Sequence, residues 1–216
     1  MFDVETNMAD TEGFNLIKLN QLFLGCMQED NIIDLDSYVN AYEELSKLFG
    51  LLGSIFGFVV SDVVEKIGIL RDYRKSPDGE HYISVQSMIK YEVQQNITDN
   101  KKKESGSRTL LRLHRAMEFT AQLMKDVRNA EDGGKMSSIT RTAYDATLSK
   151  HHPWLIRKGV HVAMYTLPSR KQLLEKIMMA NDQSKVEDLM EAAKLQQQMY
   201  DVIQDIYKTE KLLNLP

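Results

Sequence analysis

Apolar residues recur three and four positions apart in nearly every segment of this chain, a spacing that suits helices and little else. Four prolines and eleven glycines in 216 residues leave few points where a helix must stop. The two-residue alternation of a half-buried strand is not sustained anywhere. Leu16, Leu19 and Phe23 share one face of a first helix over 13–28, and Asp36 or Ser37 is the expected cap of a second reaching Gly53. A third is predicted from Ser54 to Arg74, a fourth over 84–97 and a long fifth from Ser107 to Asn129. A sixth is read over 137–151, a seventh starting at Pro153 as its first residue, then Ser169–Ala180 and 185–213. The expected fold class is all-α: a two-layer sandwich of about eight or nine helices rather than a simple four-helix bundle.

Composition narrows the function. With 43% apolar and 27% charged residues the chain can bury a sizeable core. A net charge of −4 argues against a general nucleic-acid binder, which shows a basic excess. Cys26 stands alone, which rules out an internal disulfide and fits a reducing compartment. The opening MFDVETNMADTEG lacks the basic-then-apolar pattern of a secretory signal, and the longest apolar run, Leu48–Val60, is too short to span a bilayer. A cytosolic protein is expected, with residues 1–12 a flexible acidic tail and 13–216 a single domain.

Two sets of charges sit where an amphipathic helix should not have them. In the third helix Asp62 and Lys66 fall one turn apart inside the arc marked by Val59, Val63, Ile67 and Leu70 on one side and Phe58 and Ile69 on the other. They are either an ordinary i, i+4 pair at the edge of that arc or charges kept at a site. In the fifth helix Arg108, Arg112, Arg115 and Phe119 form a stripe about 60° wide, with no acid before Glu118 to answer it. The stripe is either a solvated basic face or a pocket for a doubly charged anion such as a phosphate group, which guanidinium matches bidentately. In Lys150-His151-His152-Pro153-Trp154 the adjacent histidines diverge by about 100° on a helix, a poor metal pair. A histidine there suits a hydrogen bond to a carbonyl. Trp154, the one tryptophan, suits either a core or a membrane interface. No Gly-rich phosphate loop, GxSxG elbow or Cys–His pair is present, so no catalytic residues, metal or cofactor are expected.

The blocks GFNL (13–16), LGSIFGFVVSDVVEKI (52–67), EHY (80–82), SGSRTLLRLHRAMEF (105–119), YDATLSKHHPWLIRKGVHVAMYTLPSR (144–170) and the final LP resemble the glycolipid transfer protein superfamily from residue 13 onward. The resemblance implies non-vesicular transfer of a sphingolipid by helical layers that part to admit its chains. By that match Asp62 accepts from the lipid amide N–H, Lys66, Arg108 and Arg112 hold the headgroup with Arg115 close by, and His152 donates to the acyl carbonyl. Leu48, Leu52, Phe56, Val59, Leu148 and Val160 are implied to line the chain pocket, and Trp154 to dock on membrane. Sugar-binding members carry Asn where Lys66 stands and Trp where Arg108 stands, so a phosphate headgroup fits here, with ceramide-1-phosphate as the expected cargo. A monomer with no nucleic-acid partner is implied, peripheral on Golgi, endosomal, plasma or nuclear membranes, with effects on autophagy and inflammasome signalling. The rival readings are a carrier of neutral glycosphingolipids and a helical sensor or adaptor that binds anionic lipid without moving it.

Overall fold

The computed structural model describes residues 13–180 and 183–216, so the expected acidic tail over 1–12 lies outside the described residues. Nine α-helices are found among them: α1 Leu16–Cys26, α2 Leu35–Leu51, α3 Gly57–Lys75, α4 Val85–Gln94, α5 Gly106–Asn129, α6 Met136–Ala146, α7 Trp154–Ala163, α8 Arg170–Ala180 and α9 Asp188–Thr209. In place of strands, the described residues hold two isolated bridges, Met27 to Ile33 and Asp34 to Ser84. The all-α expectation holds, and the helices form a two-layer sandwich.

Helix starts follow the side chains that can satisfy the first free N–H groups. Asn15 accepts from the Lys18 N–H at 2.9 Å and opens α1, and Ser105 accepts from the Arg108 N–H at 3.0 Å and opens α5. Ser84 and Ser87 form a reciprocal capping box at α4. The cap of α2 is Asp34, which accepts from the Ser37 N–H at 2.7 Å; the expected Asp36 instead meets Arg74 at 3.1 Å. Ile33 explains the shift: it is buried, and its carbonyl accepts from the Val85 N–H, so the chain turns helical only after it.

Three other boundaries moved for local reasons. Gly53 adopts φ 122°, a conformation side-chain-bearing residues disfavour, and Ser54–Phe56 make a 3-10 turn before α3 begins at Gly57. The sixth helix ends at Ala146 because Thr147 leaves helical geometry, and Leu148–His151 form a separate 3-10 turn. Pro153 precedes α7 instead of being its first residue, and it holds His152 extended at φ −107°, ψ 138°.

The 24-residue α5 is the central element, packing against α9, α6, α3 and α4, while α2 lies on α1 and α3. Leu110, Leu113 and Met117 face the core, opposite the arginine stripe. Tyr207 donates to the Ser107 carbonyl at 2.6 Å, and Tyr42 donates to the Leu113 carbonyl, which tie α9 and α2 to α5.

His114 of α5 is buried between the rings of Tyr200 and Tyr207, with Nε2 2.7 Å from Gln204 Oε1. Burial pushes its pKa down to about 4, with the Arg115 charge adding to the effect. The unfolded chain takes up this proton near pH 6.5 and the folded chain does not, so stability is complete above that pH and falls below it, by up to about 3 kcal/mol. Melting curves from pH 7.5 to 4.5 should show that decline, and His114→Gln should reduce it, leaving the part that the lowered pKa values of His151 and His152 contribute.

Candidate functional site

The arginine-bearing helix is anchored at its start by a buried carboxylate. Glu92 of α4 is fully buried; its Oε1 accepts from Tyr82 Oη at 3.0 Å and the Gly106 N–H at 2.7 Å, and Oε2 accepts from the Ser107 N–H at 2.8 Å. A negative charge here also complements the positive end of the α5 dipole. Glycine at 106 allows this close approach, since a Cβ there would lie 2.5 Å from Met88 Sδ and 3.1 Å from Glu92 Oε1 and would force those side chains to shift. Sequence reading overlooked Glu92, although the signal was there: it sits in register with Val85, Met88 and Ile89, a lone acid on an apolar stripe.

Each cation of the predicted site meets an acceptor. Lys66 is only 6% exposed, and its Nζ lies 2.6 Å from Oδ1 of the exposed Asp62. The two are an i, i+4 pair, but the lysine side chain is nearly enclosed while its carboxylate partner is open. Arg108, Arg112 and Arg115 are each half-buried, which removes the reading of a freely solvated basic face. Arg112 Nη1 donates to Glu104 Oε1 at 2.7 Å, and the Glu104 carbonyl accepts from Tyr73 Oη of α3 at 2.8 Å. Arg108 Nε donates to the Pro216 oxygen at 3.1 Å, and Arg115 Nη2 donates to the Leu213 carbonyl at 2.8 Å. Burial and the neighbouring Arg112 charge lower the Arg115 pKa. The fourth residue of the stripe, Phe119, is buried in the core.

The histidine pair divides between two environments. His151 is exposed and its pKa is lowered to about 4, by loss of hydration and then by the Arg115 and Lys150 charges. His152 is half-buried; burial lowers its pKa, and the Asp62 carboxylate opposes that by raising it. Asp62 and His152 therefore act within electrostatic range of each other, as do His151 and Arg115. Hydrogen bonding joins His152 Nδ1 to Tyr144 Oη at 2.7 Å. No group of three His, Cys, Asp or Glu side chains among the described residues is arranged to hold a metal. Burial, reinforced by Asp34, drives the Cys26 thiol up to about 12, which removes it as a nucleophile.

An apolar gap of about 10 Å³ is lined among others by Leu48 and Leu52 of α2, Leu123 and Val127 of α5, Ile177 of α8 and Leu189 of α9. That is no more than the space of one water, too small for a hydrocarbon chain. Of the pocket residues expected from sequence, Leu48 and Leu52 line this gap. Phe56 is buried in the core, and Val59, Leu148 and Val160 pack partly exposed against it, away from the gap. The α8 and α9 contributors carried no signal beyond ordinary helical periodicity.

Residues 33–179 match the family profile described as Glycolipid transfer protein (GLTP). The chain belongs to the glycolipid transfer protein family. Among its relatives, the rat ceramide-1-phosphate transfer protein is 36% identical over 209 residues, covering 94% of this chain and 97% of the rat protein. The crystal structure of the apo mouse ceramide-1-phosphate transfer protein has TM-score 0.88 at 37% identity, covering 94% of this chain and 100% of that one. The human ceramide-1-phosphate transfer protein in complex with 12:0 ceramide-1-phosphate has TM-score 0.86 at 35% identity, with coverages of 94% and 100%.

Within this glycolipid transfer protein fold, α7 is unlike a core helix. Trp154 is 63% exposed, and Leu155, Ile156 and Val162 are exposed with it, while Ala163 is the one buried residue of the helix. Trp154 therefore lies at the surface and not in the core, with Lys158 Nζ 5.7 Å above its ring. No helix among the described residues is long and apolar enough to cross a membrane.

Proposed function

We propose that residues 13–216 act as one unit, a single copy of which carries ceramide-1-phosphate between membranes without chemistry. The observation that carries this reading is the set of half-buried arginines on one face of α5, each held by an exchangeable carbonyl or carboxylate, together with a buried lysine on α3, a helix that packs against α5. The relatives that bear the name ceramide-1-phosphate transfer protein support it. A phosphomonoester carries about −1.5 to −2 charge and several strong acceptor oxygens. Lys66, Arg108 and Arg112 hold it, with Arg115 close by, and Asp62 accepts from the sphingoid amide N–H. His152 donates to the acyl carbonyl. An acceptor at Asp62 disfavours diacyl phosphates, which offer only ester carbonyls.

The tails supply the reason for a carrier. A two-chain sphingolipid in water exposes on the order of 30 methylenes, roughly 25 kcal/mol. Parting layers that include Leu48, Leu52, Phe56, Val59, Leu148 and Val160 replace that water with hydrocarbon. Apolar walls discriminate chains weakly, so selectivity rests on the headgroup. Transfer of a fluorescent lipid between donor and acceptor vesicles tests the reading, with ceramide-1-phosphate, phosphatidic acid, sphingomyelin and galactosylceramide as competitors. Ceramide-1-phosphate should compete best. Equal competition by galactosylceramide, or binding without transfer, overturns it.

Two variants probe the surroundings of the site. Glu104 occupies Arg112 where phosphate would sit, so Glu104→Gln should tighten ceramide-1-phosphate binding by about two- to five-fold, the worth of a surface ion pair. Trp154 and its exposed neighbours form the surface that touches membrane during loading. Trp154→Ala should slow transfer by about ten-fold while leaving the affinity for a water-soluble short-chain ceramide-1-phosphate unchanged, as read by titration calorimetry.

A further inference from the structure

The Tyr144 side chain is 2% exposed, and its hydroxyl makes one hydrogen bond among the described residues, to His152 Nδ1 at 2.7 Å. A neutral imidazole has one donor nitrogen and one acceptor nitrogen, so that contact can be made in two ways. If Nδ1–H donated, the phenol would be the acceptor and its own O–H would be buried with nothing to receive it, an arrangement folded proteins avoid. If the phenol donates, both groups are satisfied and the imidazole proton resides on Nε2. That nitrogen has no partner among the described residues.

We propose that Tyr144 is a positioning residue for the lipid site, locking His152 as the Nε2–H tautomer so that a donor stands ready for the acyl carbonyl. The inference rests on the headgroup reading above and extends it to a residue on α6 that touches no lipid. Several observations converge on it. Burial lowers the His152 pKa, against the opposing pull of Asp62, and so favours the neutral ring, the state in which the choice of tautomer matters. Pro153 pins the His152 backbone in an extended conformation, so the ring enters from a fixed direction. Tyr144 is itself held, edge-on against Phe119 at 6.2 Å and against His161 at 5.8 Å. With Asp62 accepting and His152 donating, the site offers one group to each half of an amide. The tautomer therefore decides whether the protein distinguishes an N-acylated sphingoid phosphate from its deacylated counterpart.

The experiment compares wild type with Tyr144→Phe, which removes one oxygen and keeps the ring. Nitrogen-15 shifts of the His152 imidazole in the unliganded full chain should report protonated Nε2 in wild type and a mixture of tautomers in the variant. Ceramide-1-phosphate should bind the variant about ten-fold more weakly, the size of one hydrogen bond to a polar group. Sphingosine-1-phosphate, which has the phosphate and no acyl carbonyl, should bind both proteins equally. A merely structural role would weaken both lipids together and overturn the proposal, as would protonated Nδ1 in wild type, a result that needs no variant. Wild type that binds neither lipid overturns the headgroup reading, and the inference with it; wild type that binds both with an unaffected Phe variant overturns the inference alone.

Discussion

Arg112→Leu and Lys66→Ala should each weaken ceramide-1-phosphate binding by about 100-fold, roughly the 3 kcal/mol lost when a charge-assisted contact to a doubly charged oxyanion disappears. The two act through different surroundings. Arg112 is half-buried and shares its guanidinium with Glu104, so its removal leaves a carboxylate that water can reach. Lys66 is nearly enclosed and its partner Asp62 is exposed, so its removal deletes a desolvated cation without stranding an anion. Both variants should therefore keep their helical circular dichroism and melt close to wild type. Arg115→Leu provides the contrast. Its Nη2 reaches the Leu213 carbonyl and, at 3.4 Å, that of Leu215, so this variant should lose stability as well as lipid affinity. Unchanged binding in Arg112→Leu and Lys66→Ala, measured by titration with vesicles containing ceramide-1-phosphate, would remove the phosphate assignment. Combining the two should abolish detectable transfer.

Glu92→Leu should destabilise the fold by about 4 kcal/mol or more, the largest single effect expected away from the lipid site. Three donors now end on one carboxylate: the Tyr82 hydroxyl and the N–H groups of Gly106 and Ser107. Leucine fills comparable space but leaves all three buried and unpaired, at about 1–3 kcal/mol each. A domain of ordinary stability has only about 5–15 kcal/mol to lose. Glu92→Gln should fall between the two, because its amide oxygen can still accept while its NH2 group opposes a backbone N–H. Denaturant titration reads the difference. A further consequence separates this role from a general packing defect. Residues at the N-terminal end of α5 should show faster amide exchange in Glu92→Gln, while the α9 amides near Ile203 stay protected.

Much of the candidate site was visible as a violation of pattern. Asp62 and Lys66 stand in an apolar arc, and Arg108, Arg112 and Arg115 stand in line without acids nearby, so spacing alone marks them. The same rule applied to α4 would have picked out Glu92. Boundaries were less legible, since the chain around Ser54 and Thr147 satisfies helical periodicity while its backbone leaves the helix. Of the residues expected to line a chain pocket, Leu48 and Leu52 border the small apolar gap while Phe56, Val59, Leu148 and Val160 lie elsewhere in or against the core, because apolar spacing marks a buried face without naming what it is buried against.

The order of residues alone established the all-helical class, the misplaced charges and the family, because each depends on spacing within one segment or on motifs carried intact along the chain. Only the folded molecule decided that Lys66 is enclosed while Asp62 one turn away is open, that Glu104 sits on Arg112, and that Arg115 is braced by carbonyls about a hundred positions distant. It also decided that Tyr144 meets His152 across the break between α6 and α7. Helical periodicity reports the faces of one cylinder; which neighbour covers each face follows from how nine such cylinders, among the described residues, pack together.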